Sequence, residues 1–183
     1  MIKTARLIVL TALVLSSAWS IGASDTLQFV NVRTQEIEPF SYCSVPYQGT
    51  FSEIAQAIST LVGTMSQQNI APSGDLIAVF RVFPNKEEIP ENINFDVGFP
   101  ITAQVSPQPP LQKKVWEHTL VATAAHSGPY DGLGDMIDQM FDWMEGKGYV
   151  QDGPILGRFI EVPSEYNQPR DYRTEIWIPI RKE

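Results

Sequence analysis

The feature that most constrains the fold of this chain is an internal repeat with a spacing of 79 residues. Placing residue i over residue i+79 aligns Tyr47–Ile101 with His126–Ile180 without a gap, and nine of the 55 positions are identical, Pro100 and Pro179 among them. Both copies keep the order helix, strand, proline-containing loop and final strand, as a duplicated unit does. We therefore expect two similar modules that join about a pseudo-twofold axis, where ligand sites often lie.

Each copy predicts a strand, a helix and a strand hairpin, with an extra strand at its start. Apolar residues at three- and four-residue spacing predict the helices, and Asn69 and Gly148 are expected to stop them. The pattern predicts strands over residues 27–34, 40–46, 76–83, 95–101, 115–125 and 155–162, and a last strand around Glu175. Repeat one then covers about 27–101, a connector rich in proline and glutamine covers 102–114, and repeat two covers about 115–183.

The first residues predict a signal peptide over residues 1–23. Lys3 and Arg6 precede the apolar run Leu7–Leu15, and small residues follow up to Ala23. The run is shorter than the roughly 20 residues that cross a bilayer, so an uncleaved membrane anchor is the lesser alternative. We expect residues 24–183 to be a periplasmic or secreted domain with no stable membrane span once the leader is removed.

Charge and motifs exclude several classes of protein. Without Lys3 and Arg6, 11 basic residues face 21 acidic ones, a net charge of −10, which repels nucleic acid and attracts cations. His118 and His126 would lie about 26 Å apart on one strand, too far to share a metal ion. Cys43 is the only cysteine, and no hydrolase, metalloprotease or phosphate-binding motif is present. We predict no nucleic-acid partner, no metal and no cofactor; the oligomeric state is left open.

The last strand carries the candidate site. Ile176 and Ile178 share one face, while Glu175 and Trp177 share the other, where a carboxylate beside an indole suits a flat or cationic small molecule. Asp96 is the counterpart of Glu175 in the first copy. From the pattern alone, Glu175 fits a solvated outer residue of an antiparallel sheet. Further wall residues, for which core packing is the alternative, are Tyr42, Tyr47, Trp116 and Tyr130.

Several motifs in the second copy resemble the GyrI-like small-molecule-binding domain. They are His126–Tyr130, Phe141–Tyr149, the Gly153–Pro154 pair and Thr174–Ile180. The same domain is the effector-binding module of some AraC- and MerR-type regulators, and SOUL-type domains share its duplicated architecture. The resemblance runs from about residue 30 to the end. It implies an α+β fold of duplicated βαββ modules, with a curved antiparallel sheet of about eight strands, two main helices and a pseudo-twofold groove.

The resemblance also implies a function for the groove, because the family binds organic ligands that are often cationic, lipophilic and aromatic. The family's ligand-facing glutamate corresponds to Glu175. We therefore expect an exported protein that holds a cationic or amphipathic ligand between Glu175 and Trp177, without a DNA-reading role. The alternative is a hydrolase of a strained or electrophilic small molecule, with Glu175 as the catalytic general base. Haem or tetrapyrrole binding is a third possibility.

Overall fold

The computed structural model describes residues 30–49, 54–81, 93–161 and 168–183. In these ranges the chain forms two α-helices and nine strands. The bounds are β1 Arg33–Glu36, β2 Phe40–Gly49, α1 Ile54–Gln67, β3 Leu76–Phe80, β4 Ile93–Pro100, β5 Gln112–Trp116, β6 Leu120–Ser127, α2 Leu133–Gly146, β7 Tyr149–Gln151, β8 Ile155–Glu161 and β9 Arg173–Lys182. The predicted signal peptide and the first residues of the strand predicted from Leu27 lie outside the described residues.

All described strands join one antiparallel sheet in the order β1-β6-β9-β8-β3-β4-β2-β5, with β7 paired to β9. This confirms the predicted α+β class, with nine strands where about eight are expected. The register repeats with the 79-residue spacing: Tyr42 pairs with Pro100 between β2 and β4, and Val121 pairs with Pro179 between β6 and β9. The duplication seen in the sequence is therefore also a duplication of the backbone hydrogen-bonding pattern.

The pseudo-twofold axis passes between the two central strands. There β3 and β8 run antiparallel, and Ala78 pairs with Gly157, which is its own counterpart in the other copy. The strand that leads each copy crosses over: β1 pairs with β6 of the second copy, and β5 pairs with β2 of the first. Each module is therefore completed by a strand of the other, which ties the two copies into one sheet.

The strand predicted over residues 115–125 is in fact two strands. β5 begins at Gln112, inside the segment expected to be a connector. The strand is interrupted after Trp116, and β6 starts at Leu120. Two hydrogen bonds fix the backbone between the two strands. The Trp116 indole N–H donates to the His118 carbonyl at 3.0 Å, and the Ile37 N–H donates to the Thr119 carbonyl at 2.8 Å. No glycine or proline marks this break, so the pattern misses it.

The two helices pack on one face of the sheet and form the main core. Leu61 and Met65 of α1 and Met140 and Met144 of α2 are buried against it. The predicted stops are confirmed, since Asn69 and Gly148 take positive φ angles of 54° and 66° just after α1 and α2. In the described part of the chain, no helix is both long and apolar enough to cross a lipid bilayer.

Candidate functional site

The face of the sheet turned away from the helices is concave. Trp116 on the edge strand β5 and Trp177 on β9 have ring centroids 6.5 Å apart, although five steps in the sheet order separate the two strands. A flat sheet would hold strands five steps apart at about 24 Å. The sheet must therefore curve until its far edge reaches its other half, and we call this side the concave face. Its buried apolar residues are Tyr42, Ile77, Val79, Trp116, Val121, Leu156 and Trp177.

Four rings meet on the concave face, and we call them the aromatic cluster: Phe40, Tyr42, Trp116 and Trp177. Phe40 lies in the middle, with ring centroids 6.4 Å from Trp116, 6.4 Å from Trp177 and 6.3 Å from Tyr42. The Trp177 indole N–H is buried and has no acceptor among the described residues. Two of the predicted further wall residues, Tyr42 and Trp116, are thus brought together with Trp177. Phe40 was missed, although its alternation with Tyr42 along β2 places both on this face.

Glu175 lies next to the aromatic cluster with its carboxylate largely buried, the side chain being 13% exposed. Its Oε2 accepts from Arg158 Nη1 at 2.7 Å, and its Oε1 accepts from the Thr123 hydroxyl at 3.3 Å. Arg33 Nη2 lies 3.7 Å from Oε1. The solvated position that the strand pattern alone favours is wrong, because the concave curvature covers this face.

Arg158 is the residue that the sequence reasoning missed. Its Nη1 donates to Glu175 and its Nη2 donates to Asp75 Oδ2, both at 2.7 Å. Its Cζ lies 5.1 Å from the centre of a Trp177 ring, in the geometry of a cation–π contact. The available signal was a lone charge in the apolar run Ile155–Ile160. Arg158 therefore places a guanidinium between two carboxylates and over an indole.

Asp96 occupies the equivalent place in the first copy, on the concave face of β4. It is 8% exposed, and its Oδ1 lies 2.7 Å from Lys114 Nζ. Burial, with a smaller contribution from the Asp96 charge, raises the pKa of Tyr42 to about 12. Tyr42 therefore remains a neutral phenol at any physiological pH.

Two predicted wall residues lie elsewhere. Tyr47 packs on the helix side of the sheet with its ring centroid 5.1 Å from Phe95, because it lies five positions, an odd number, after Tyr42 along β2. Tyr130 lies in the turn before α2, with ring centroids 5.6 Å from Phe159 and 5.3 Å from Tyr172. The structure does not bring either ring to Glu175.

A separate surface cavity of about 660 Å³ lies between β2, α1 and the start of β5. Its lining carries no charged side chain and consists of Val45, Pro46, Tyr47, Gln56, Ala57, Thr60, Pro110 and Gln112. Across the described ranges, no three His, Cys, Asp or Glu side chains lie close enough to hold a metal ion. The region around Glu175 and Trp177 differs from this cavity, because it places charged side chains beside aromatic rings.

The duplicated modules, the exchanged leading strands and the shared concave face are the features of a small-molecule-binding domain. The model of the GyrI-like small molecule binding domain matches residues 31–181, and the chain belongs to this family. A search of curated proteins gives no match.

Solved structures share this fold at low sequence identity. The EcmrR–DNA complex matches with a TM-score of 0.72 and 17% identity over 87% of this chain, and this chain spans 60% of that one. The EcmrR C-terminal domain matches with a TM-score of 0.69 and 17% identity over 84% of this chain and 99% of that one. SAV2435 bound to tetraphenylphosphonium matches with a TM-score of 0.51 and 11% identity over 82% of this chain and 93% of that one. At these identities the likeness establishes the fold.

Proposed function

We propose that this domain binds a small cationic or amphipathic organic molecule on its concave face, with Glu175 supplying charge and Trp177 a stacking surface. The observation that carries the proposal is the position of Arg158. Its guanidinium forms an ion pair with Glu175 at 2.7 Å, and its Cζ lies 5.1 Å from the centre of a Trp177 ring. Glu175 and Trp177 therefore already bind a cation, which is a side chain of the protein itself. Both contacts gain strength where water is excluded, as at a carboxylate that is 13% exposed.

Two further points support a cation as the ligand. The acidic residues outnumber the basic ones by 21 to 13 over the whole chain, which attracts positively charged molecules over a distance. SAV2435, a protein of the same fold, is known bound to tetraphenylphosphonium, a lipophilic cation. That molecule is therefore a suitable first probe for this chain.

The geometry supports binding better than hydrolysis. A general base needs a carboxylate oxygen that can accept a proton from water. In the described structure, Glu175 Oε1 accepts from Thr123 and Oε2 accepts from Arg158, and a cationic ligand that displaces Arg158 would take over the bond to Oε2, so the carboxylate stays paired with a positive charge. Haem binding has no support from the two histidines. The His118 ring packs against Trp116, and His126 Nε2 lies 2.8 Å from the Pro129 carbonyl oxygen.

We also propose that the domain works in the periplasm or outside the cell, on the strength of the leader-like residues 1–23. Expression of the full chain should give a processed protein in the exported fraction. An unprocessed chain in the cytosolic fraction would contradict this.

Calorimetric titration with tetraphenylphosphonium tests the binding proposal. Glu175→Gln removes the charge with little change of shape, and we expect it to weaken binding about tenfold, which corresponds to about 1.4 kcal/mol. The matched control is Asp152→Asn, which removes an exposed carboxylate that is paired with Arg181 at 3.3 Å. Equal affinity of the Glu175→Gln variant and the wild type would overturn the role of Glu175. Mass spectrometry of the recovered ligand should show no product, and a hydrolysis product would favour the enzyme.

A further inference from the structure

We infer that the ligand is a planar cation with N–H donors on two sides, a guanidinium or amidinium joined to an aromatic group, and that Arg158 is its built-in competitor. This inference rests on the proposed function and narrows it. A quaternary ammonium or phosphonium ion would then be a poorer fit than a cation that can donate hydrogen bonds.

The first argument is the arrangement of acceptors. Asp75 and Glu175 come from different copies of the repeat and face one guanidinium from two sides, each at 2.7 Å from a different Nη atom. Two such charge-assisted bonds to carboxylates on opposite sides suit a flat ion whose donors diverge in one plane. A quaternary ion has no N–H, so once Arg158 moved away it would leave Glu175 with the Thr123 hydroxyl alone and Asp75 without the Arg158 donor, which is costly for a carboxylate that is 13% exposed.

The second argument is access. The side chain of Arg158 is 31% exposed and that of Asp75 is 36% exposed, whereas Trp177 beneath the guanidinium is 6% exposed. Arg158 therefore sits at the solvent side of the site. Its flexible stem allows the guanidinium to move into water. A ligand with the same head group would then replace every contact that Arg158 gives up, including the cation–π contact with Trp177.

The third argument is asymmetry, which fixes the number of sites. The repeat counterpart of Arg158 is Val79, the counterpart of Asp75 is Pro154, and the counterpart of Trp177 is Gly98. The first copy therefore has neither the acceptor pair nor the indole. We expect one molecule of ligand per chain.

The test compares two probes that carry the same charge and the same ring, phenylguanidinium and phenyltrimethylammonium, by calorimetric titration of the wild-type domain. We expect phenylguanidinium to bind about tenfold more tightly, with one site per chain. Asp75→Asn should remove most of that preference and leave the ammonium probe nearly unchanged. Arg158→Met, which keeps an unbranched apolar stem, should tighten the binding of both probes because the internal cation is gone.

The outcomes separate this inference from the proposed function. If both probes bind equally and Asp75→Asn changes neither, the guanidinium inference is overturned while cation binding stands. If neither probe binds to the wild type or to Arg158→Met but tetraphenylphosphonium does, this inference fails alone; if tetraphenylphosphonium does not bind either, the proposed function fails with it. If Arg158→Met does not fold, the two probes with the wild type and Asp75→Asn still decide between these results.

Discussion

The two copies of the repeat share one backbone register but place different side chains on the concave face. The position that holds Trp177 in the second copy holds Gly98 in the first. A Cβ atom at Gly98 would collide with the carbonyl oxygen of Cys43 and come within 2.9 Å of the Ser44 Cβ. The neighbouring strand β2 therefore leaves no room for a ring there. Duplication sets the backbone geometry of both halves, and local packing at Gly98 limits the indole to the second copy.

The charges differ in the same direction. Among the described residues, Asp96 in the first copy has one ion-pair partner, Lys114, at 2.7 Å. Glu175 in the second copy has Arg158 at 2.7 Å and Arg33 at 3.7 Å, and Arg158 also reaches Asp75 across the axis. Glu175 thus belongs to a network of four charged side chains, Arg33, Asp75, Arg158 and Glu175, whereas Asp96 belongs to a single ion pair.

The largest expected effect comes from giving the second copy the residue of the first. Trp177→Gly should lower the free energy of unfolding by about 3–5 kcal/mol, because it leaves a cavity among Phe40, Trp116 and Arg158. Chemical denaturation measures this. Trp177→Phe is the control and should lose less than half as much, since it keeps a ring. A loss below about 1 kcal/mol for the glycine variant would show that the aromatic cluster does not stabilise the fold.

The reverse change tests the packing at the first copy. Gly98→Ala should destabilise the domain by about 2–3 kcal/mol, because the added carbon meets the backbone of β2. Gly146→Ala is the matched control, since nothing lies within 4 Å of a Cβ at that position. It should be neutral or slightly stabilising. If both variants have the same stability, the close approach of β2 to Gly98 is not what keeps a side chain out.

The larger part of the loss of stability at alkaline pH should come from Tyr42 in the first copy. Tyr42 has a pKa raised to about 12, whereas its counterpart Val121 cannot ionise. The unfolded chain loses the tyrosine proton at about pH 10 and the folded chain only near pH 12, so stability should fall by about 2 kcal/mol as the pH rises between these values. Tyr42→Phe should flatten most of this decline. Tyr130, 36% exposed, also has a pKa raised by burial to about 12, and it should add a smaller part.

The smallest expected effect is the difference in free energy of unfolding between variants of Glu175 and Asp96. Glu175→Gln and Asp96→Asn should each cost about 1 kcal/mol, because the basic partners remain partly exposed to water. The Glu175 variant should be the more destabilised of the two, since its carboxylate has more donors. An equal or larger loss for Asp96→Asn, measured by denaturation in the same buffer, would contradict the difference between the network around Glu175 and the single ion pair of Asp96.

Local patterns in the sequence predicted much of the fold. The helix stripes, the stops at Asn69 and Gly148 and the shared face of Glu175 and Trp177 depend on neighbours a few residues away, so periodicity suffices to find them. The exchange of β1 and β5 between copies depends on partners far apart in the chain, and no local pattern encodes it. Arg158 was missed for the same reason, because β3–β8 pairing across the axis brings Asp75 to it.

The most direct measurement is a crystal structure of the domain with phenylguanidine bound. The account predicts the guanidinium of the ligand within about 3 Å of Glu175 and Asp75, its plane over the Trp177 indole, and Arg158 turned into solvent. A structure in which the bond between Arg158 and Glu175 is intact and the ligand lies elsewhere would contradict the central claim that this pair of residues is a cation site.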